Sequence, residues 1–138
     1  LDLGNSKFLE KISYSDVVEN LKKDKEIVLI AVKENGINLE YADESLKKDR
    51  EIVLAAVKNA GHALEYANES LKKDREIVLA AVKNFGTSLS FADESLKKDK
   101  VIVLAAVKQD AYAMNFTNDT RFFKDKDFRD YLYELEDF

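Results

Sequence analysis

The chain has 138 residues, 46% of them hydrophobic, with four glycines, no proline, no cysteine and a formal net charge of −5. Its length and apolar content suit one domain with its own core, and the lack of cysteine excludes disulfides and thiolate chemistry. The acidic balance opposes attraction to nucleic-acid phosphates or anionic membranes, so no nucleic-acid or membrane partner is expected.

The chain opens on Leu1 rather than Met, which suggests a processed piece of something longer. No signal peptide and no apolar run of spanning length is visible, so the compartment is unknown and cytoplasmic by default. Residues 1–20 read as an irregular starting unit carrying Phe8, Leu9, Ile12, Val17 and Val18, with Leu21 just after. Residues 21–45, 46–70, 71–95 and 96–120 are then successive copies of one 25-residue block, the last decaying. The second and third copies agree at 19 of 25 positions, the first and second at 18. Such a period implies a stack of small units, none able to bury its apolar face alone. The expected fold is all-α: an α-helical repeat solenoid whose units hold one helix of about 11 residues plus a shorter helix or 3-10 turn.

In the second copy a helix is expected over Arg50 to Ala60. Asp49 is placed to accept its first free amides, and Gly61 to take the left-handed position past its end. Asp24 with Gly36 and Asp74 with Gly86 bracket the neighbouring copies alike. In the fourth, Ala111 replaces the glycine, and the helix exit is expected to change. Ile52, Val53, Leu54, Ala55, Ala56 and Val57 cover most of the helical wheel, far more than the ~100° stripe of a surface helix. The helix should therefore be sandwiched between neighbours, with paired alanines such as Ala55 and Ala56 allowing close approach. A shorter helix over Ala63 to Ala67 should follow, then a tight turn capped by Asn68; periodicity does not decide the form of residues 68–73. Residues 121–138 read as a C-terminal capping helix, apolar at Phe128, Tyr131, Leu132 and Leu135 and polar on its other face.

The run Gly-x-Ala-Leu-Glu-Tyr-Ala-x-Glu-x-Leu-Lys-x-Asp-x-Glu-x-Val-Leu-Ala-Ala-Val-Lys at residues 61–83 resembles a family of tandem repeats known as domain of unknown function 4116. The likeness covers roughly residues 21–120 and weakens at Ala111 and Arg121. It implies an α-helical repeat array and brings no reaction, cofactor or ligand.

Tyr41, Tyr66, Phe91 and Phe116 form an aromatic ladder at the repeat spacing. Such ladders can stack bases, but with no accompanying arginine stripe they read as one core position repeated. The Lys-Lys-Asp triplets read as a self-neutralised solvated edge, with Asp43 and Glu44 four residues before Lys47 and Lys48. The acids near Asp119, Asp125, Asp127 and Asp130 lack the order of a calcium loop, and no metal is expected. His62, the only histidine, has no second ligand or catalytic partner in sight and reads as a turn residue. Asn68-Glu69-Ser70, Asn115-Phe116-Thr117 and Asn118-Asp119-Thr120 match glycosylation acceptors only formally.

Catalytic and cofactor residues are therefore not expected, nor is an enzyme. The copies disagree mainly around the glycine, where Ile37, Phe85 and Tyr112 are large apolar groups in a turn edge. Ile37, His62, Phe85 and Tyr112 are the candidate partner-binding edge of a monomeric, non-catalytic protein-interaction or scaffold module. The alternatives are an accessory region of an enzyme, or a small-molecule-binding or modifying activity at the irregular ends.

Overall fold

The structure, a computed structural model, describes residues 14–117 and 119–136, so Phe8, Leu9, Ile12 and Asn118 lie outside the described residues. The elements are α1 (Tyr14–Lys23), α2 (Lys25–Glu34), η1 (Gly36–Tyr41), α3 (Arg50–Asn59), η2 (Gly61–Tyr66), α4 (Arg75–Asn84), η3 (Gly86–Phe91), η4 (Leu96–Lys98), α5 (Lys100–Gln109), η5 (Ala111–Phe116), η6 (Thr120–Lys124) and α6 (Lys126–Glu136), where η marks a 3-10 helix. Each 25-residue unit thus holds a ten-residue α-helix, a six-residue 3-10 helix and a turn. Helices α2 to α5 pack side by side in one layer, and η1, η2, η3 and η5 pack side by side in a second. Each α-helix touches its own 3-10 helix, and α3, α4 and α5 each also touch the one before. The fold is an all-α tandem repeat array.

The α-helices start where expected. The Asp49 carboxylate accepts the amides of Glu51 and Ile52 at 3.0 and 3.3 Å, and Asp74 and Asp99 do the same one and two units on. Satisfying these orphan donors favours the helix at that point. Ile52, Val53, Ala56 and Val57 are fully buried, while Leu54 and Ala55 are half-buried. The helix is sandwiched, as its broad apolar arc requires.

The glycines act differently from the expectation. No described residue has a positive φ, and the helix ends on extended Ala60 (φ −141°, ψ 102°), with Gly61 opening η2. Gly61 is required by its neighbour: a Cβ there would run into the backbone carbonyl of Ala81 in the next unit, and Gly36 meets Ala56 in the same way. The fourth helix exit is also unchanged, since Asp110 is extended (φ −154°, ψ 114°) before η5. Ala111 is exposed, so its methyl group has room.

The 3-10 helix sorts its side chains by threes, because i and i+3 eclipse at three residues per turn. Gly61, Leu64 and Ala67 share the buried face, His62 and Glu65 face water, and on the third row Ala63 is buried while the larger Tyr66 is half-buried. The aromatic ladder is thereby corrected: Tyr41 is 61% exposed and Tyr66, Phe91 and Phe116 are half-buried against the core. The fully buried ladder is Leu39, Leu64 and Leu89.

Residues 68–73 form turns, with Asn68 accepting from the amide and hydroxyl of Ser70 at 3.0 and 2.8 Å. The equivalent segment one period on, residues 93–98, tightens into η4. At the far end α6 keeps the array's register. Asp125 caps it at Phe128 (3.1 Å) and pairs with Lys100 at 2.8 Å. Phe128 is buried against Phe122, whereas Arg129, Asp130 and Tyr133 are exposed.

Candidate functional site

Two sets of contacts hold successive units in register and so position everything on the surface. The first is a ladder of ion pairs. Lys25 reaches Asp49 and Glu51, both at 3.0 Å, Arg50 reaches Asp74 at 2.9 Å and Glu76 at 2.5 Å, and Arg75 reaches Asp99 at 2.9 Å. Each capping aspartate therefore serves its own helix and the unit before. The Arg50 guanidinium, together with the amides of Ile77 and Glu76, holds the Asp74 carboxyl below its ordinary range, and Arg75 does so for Asp99.

The second set is a side-chain amide clamp. The Asn59 carbonyl oxygen accepts the Gly36 amide at 2.7 Å while its nitrogen donates to the Lys33 carbonyl at 3.1 Å. Asn84 repeats this on Gly61 (2.6 Å) and Lys58 (3.2 Å), and the Gln109 side-chain oxygen accepts from Gly86. Backbone bonds from Asp43 to Lys22 (3.0 Å), Asn68 to Lys47 (2.9 Å) and Asp93 to Lys72 (3.0 Å) pin the opposite edge. Sequence reasoning did not single out these amides, although a donor-acceptor side chain recurring at the last helical position was a visible signal.

The candidate edge divides into parts on this frame. Ile37, His62 and Tyr112 are each the second residue of a 3-10 helix, so His62 belongs to a helix and not to a turn. Phe85 caps the end of α4, where its ring lies 5.2 Å from that of His62 at 58°. Phe85 is 42% exposed and His62 is exposed beside it. Tyr112 is 64% exposed, with Phe116 edge-on at 5.9 Å. Ile37 is half-buried against the core and contributes less surface.

The charged turns also differ in detail from expectation. Glu44 pairs with Lys47 three residues on, at 3.1 Å, and Glu69–Lys72 and Glu94–Lys97 repeat the pair at 3.0 and 2.9 Å. Asp43 instead accepts the amide and hydroxyl of Ser45 at 3.0 and 2.6 Å, because the segment is a turn rather than a helix. The acids near the C-terminus face separate partners: Asp119 takes Arg121, whose guanidinium lowers that carboxyl to about 2, and Asp130 takes Lys126 at 3.8 Å. Among the described residues no three potential ligands converge on a metal position. No described helix is long and apolar enough to cross a membrane.

An all-α array in which each 25-residue unit clamps the next defines a tandem helical repeat protein. The sequence profile of the family described as Domain of unknown function (DUF4116) matches residues 5–47, 24–72 and 74–120, and the chain belongs to that family. Neither the curated proteins nor the solved structures give a match.

Proposed function

We propose that this array is a non-catalytic module that binds a protein partner through the edge formed by Ile37, His62, Phe85 and Tyr112. The exposure of Phe85 beside His62 carries this reading. An aromatic side chain at a helix cap, where the other units carry Asn35, Ala60 and Asp110, offers the kind of rigid anchor on which interfaces concentrate their binding energy. The frame beneath it is held by the amide clamps, so the edge is pre-organised and loses little freedom on binding. The test is a pull-down from a lysate of the encoding organism with wild type and the Phe85→Ala/Tyr112→Ala variant. Partners retained by wild type and lost by the variant support the edge. Identical partners for both, or none for either, remove its support.

A second reading, a small-molecule site at an irregular end, is favoured by one observation. A hollow of about 480 Å³ at the start of the array is lined by Val18, Leu21, Ile27, Val28, Asn38 and Tyr41 among others. That volume is within the range of ligand pockets. Its polar groups are few, and the Asn38 amide is already committed to the Ala31 carbonyl at 2.9 Å. Ile27 is 41% exposed there, whereas Ile52, Ile77 and Ile102 are fully buried by the preceding unit. Among the described residues, the hollow lies where the first full unit has only α1 before it.

A further inference from the structure

The outer face of the α-layer is patterned across the stack as well as along each helix. Two residues past each capping aspartate stand Glu26, Glu51 and Glu76, and then Val101. Nine past it stand Lys33, Lys58, Lys83 and Lys108, and between them Leu29, Leu54, Leu79 and Leu104 lie half-buried. The face therefore has an apolar row running across the helices, with acids along one side and lysines along the other.

The two charged rows are not equivalent. Glu51 and Glu76 are answered inside the array by Lys25 and Arg50. The four lysines are exposed and have no ion pair among the described residues; Lys108 only overlies the Tyr131 ring at 5.4 Å. A lysine in the last turn of each helix suits the helix macrodipole, so that row alone decides nothing. The apolar row is not explained in this way. Val101 is 53% exposed in a first turn where a carboxylate is favoured and where the other units have one. Ile30, beside Leu29 in the first unit, is 65% exposed where the inner units carry alanine. Recesses lie between the helices on this face: about 500 Å³ between α2 and α3, floored by Leu29, Leu54 and Ala55 with Lys33 and Lys58 beside them, and about 320 Å³ between α4 and α5 beside Lys83 and Lys108.

We infer that this face binds an acidic amphipathic helix laid across the stack. Neighbouring packed helices lie about 8–10 Å apart, and one heptad of a partner helix advances about 10.5 Å. The recesses between α2 and α3 and between α4 and α5 are two helix spacings apart, so a helix crossing the layer would set apolar side chains two heptads apart into them. Carboxylates on its flank would meet the unpaired lysines, while a basic flank there would be repelled. The chain's net charge of −5 opposes the long-range approach of such a partner. Discrimination therefore rests on the local flank, and binding should weaken with salt.

The probe is a fluorescein-labelled synthetic peptide of about three heptads, with leucine at the core positions, glutamate on the flank that meets the lysines and glutamine on the other. It is titrated by anisotropy against the whole chain, beside a lysine-flanked counterpart and phosphatidylserine vesicles. Saturable binding of the glutamate peptide is expected, with amide shifts in an NMR titration mapping to residues 54–58 and 79–83. Lys58→Glu/Lys83→Glu should weaken it by about tenfold or more, because like charges would then face each other. The Phe85→Ala/Tyr112→Ala variant should bind the peptide as wild type does, which separates this face from the edge proposed above. Absence of saturable binding, equal affinity for the lysine peptide, an unaffected Lys58→Glu/Lys83→Glu variant, or shifts centred on His62 and Phe85 would each overturn the inference. Vesicle binding lost in the same lysine variant, without peptide binding, would also overturn it and assign the row to a phosphate surface.

Discussion

A buried hydroxyl in the third unit has nothing to bond. Ser88 is fully buried and its Oγ has no hydrogen-bond partner among the described residues, whereas Ala63 and Ala113 occupy the same place in the second and fourth units, also fully buried. Desolvating a hydroxyl without compensation costs on the order of 1–3 kcal/mol, and an alanine of nearly the same shape removes that cost. Ser88→Ala should therefore stabilise the protein by about 1 kcal/mol, seen as a rise of a few degrees in the thermal midpoint by circular dichroism. An unchanged or lower midpoint would mean that the hydroxyl finds a partner in solution. The neighbouring glycine shows the opposite constraint. Gly61 has ordinary backbone angles, yet the carbonyl of Ala81 leaves no space for a methyl group. Its necessity comes from a residue 20 positions away, so a local reading of the chain assigns it to the wrong cause.

At the scale of the element, the α-helices were legible, and a shorter helix or 3-10 turn after each was expected, but which side chains its period buries was not. Asp49 and the apolar arc of Ile52 to Val57 act within one helix, so propensity and wheel geometry suffice to place them. The segment after Gly61 repeats by threes, and reading it with the longer α period moves Tyr66 into the core that Leu64 and Ala67 fill. The candidate edge was partly legible for a related reason. The disagreement between copies marks Phe85 and Tyr112 as unusual, but only packing shows that Phe85 meets His62 while Ile37 turns inward.

The helix starts also set the response to acid. The Asp74 and Asp99 carboxyls are lowered by Arg50 and Arg75, and Asp119 by Arg121 to about 2. The unfolded chain, with carboxyls near their ordinary value of 3.8, takes up protons first as pH falls, so these groups stabilise the fold above that value and cease to do so below it. The thermal midpoint should be flat down to about pH 5 and fall between about pH 4 and pH 2. In Asp74→Asn/Asp99→Asn that fall should be shallower, and a profile of identical slope would exclude the capping ladder as its source.

At the scale of the whole molecule, the first and last described units of the stack differ. At the C-terminal side α6 presents Arg129, Asp130 and Tyr133 to solvent, while the first full unit leaves Ile27 and Ile30 exposed. The same isoleucine position thus has two environments in one chain. Ile77→Ala, in a fully buried site, should cost about 2–5 kcal/mol in urea unfolding. Ile27→Ala should cost less than about 1 kcal/mol. Equal losses would show that the first unit is covered as completely as the inner ones.

The clamps that join units are all short in sequence: the amide, ion-pair and turn contacts bridge residues 20 to 26 positions apart. No step in assembly has to close a longer loop than any other, so the entropy of closure is the same at every junction. Folding can therefore begin at any adjacent pair and spread in both directions, with a low contact order throughout. The same locality means that duplicating one 25-residue segment would bring its own capping aspartate, clamp and glycine with it. Such an array can lengthen in evolution without redesigning any contact already made.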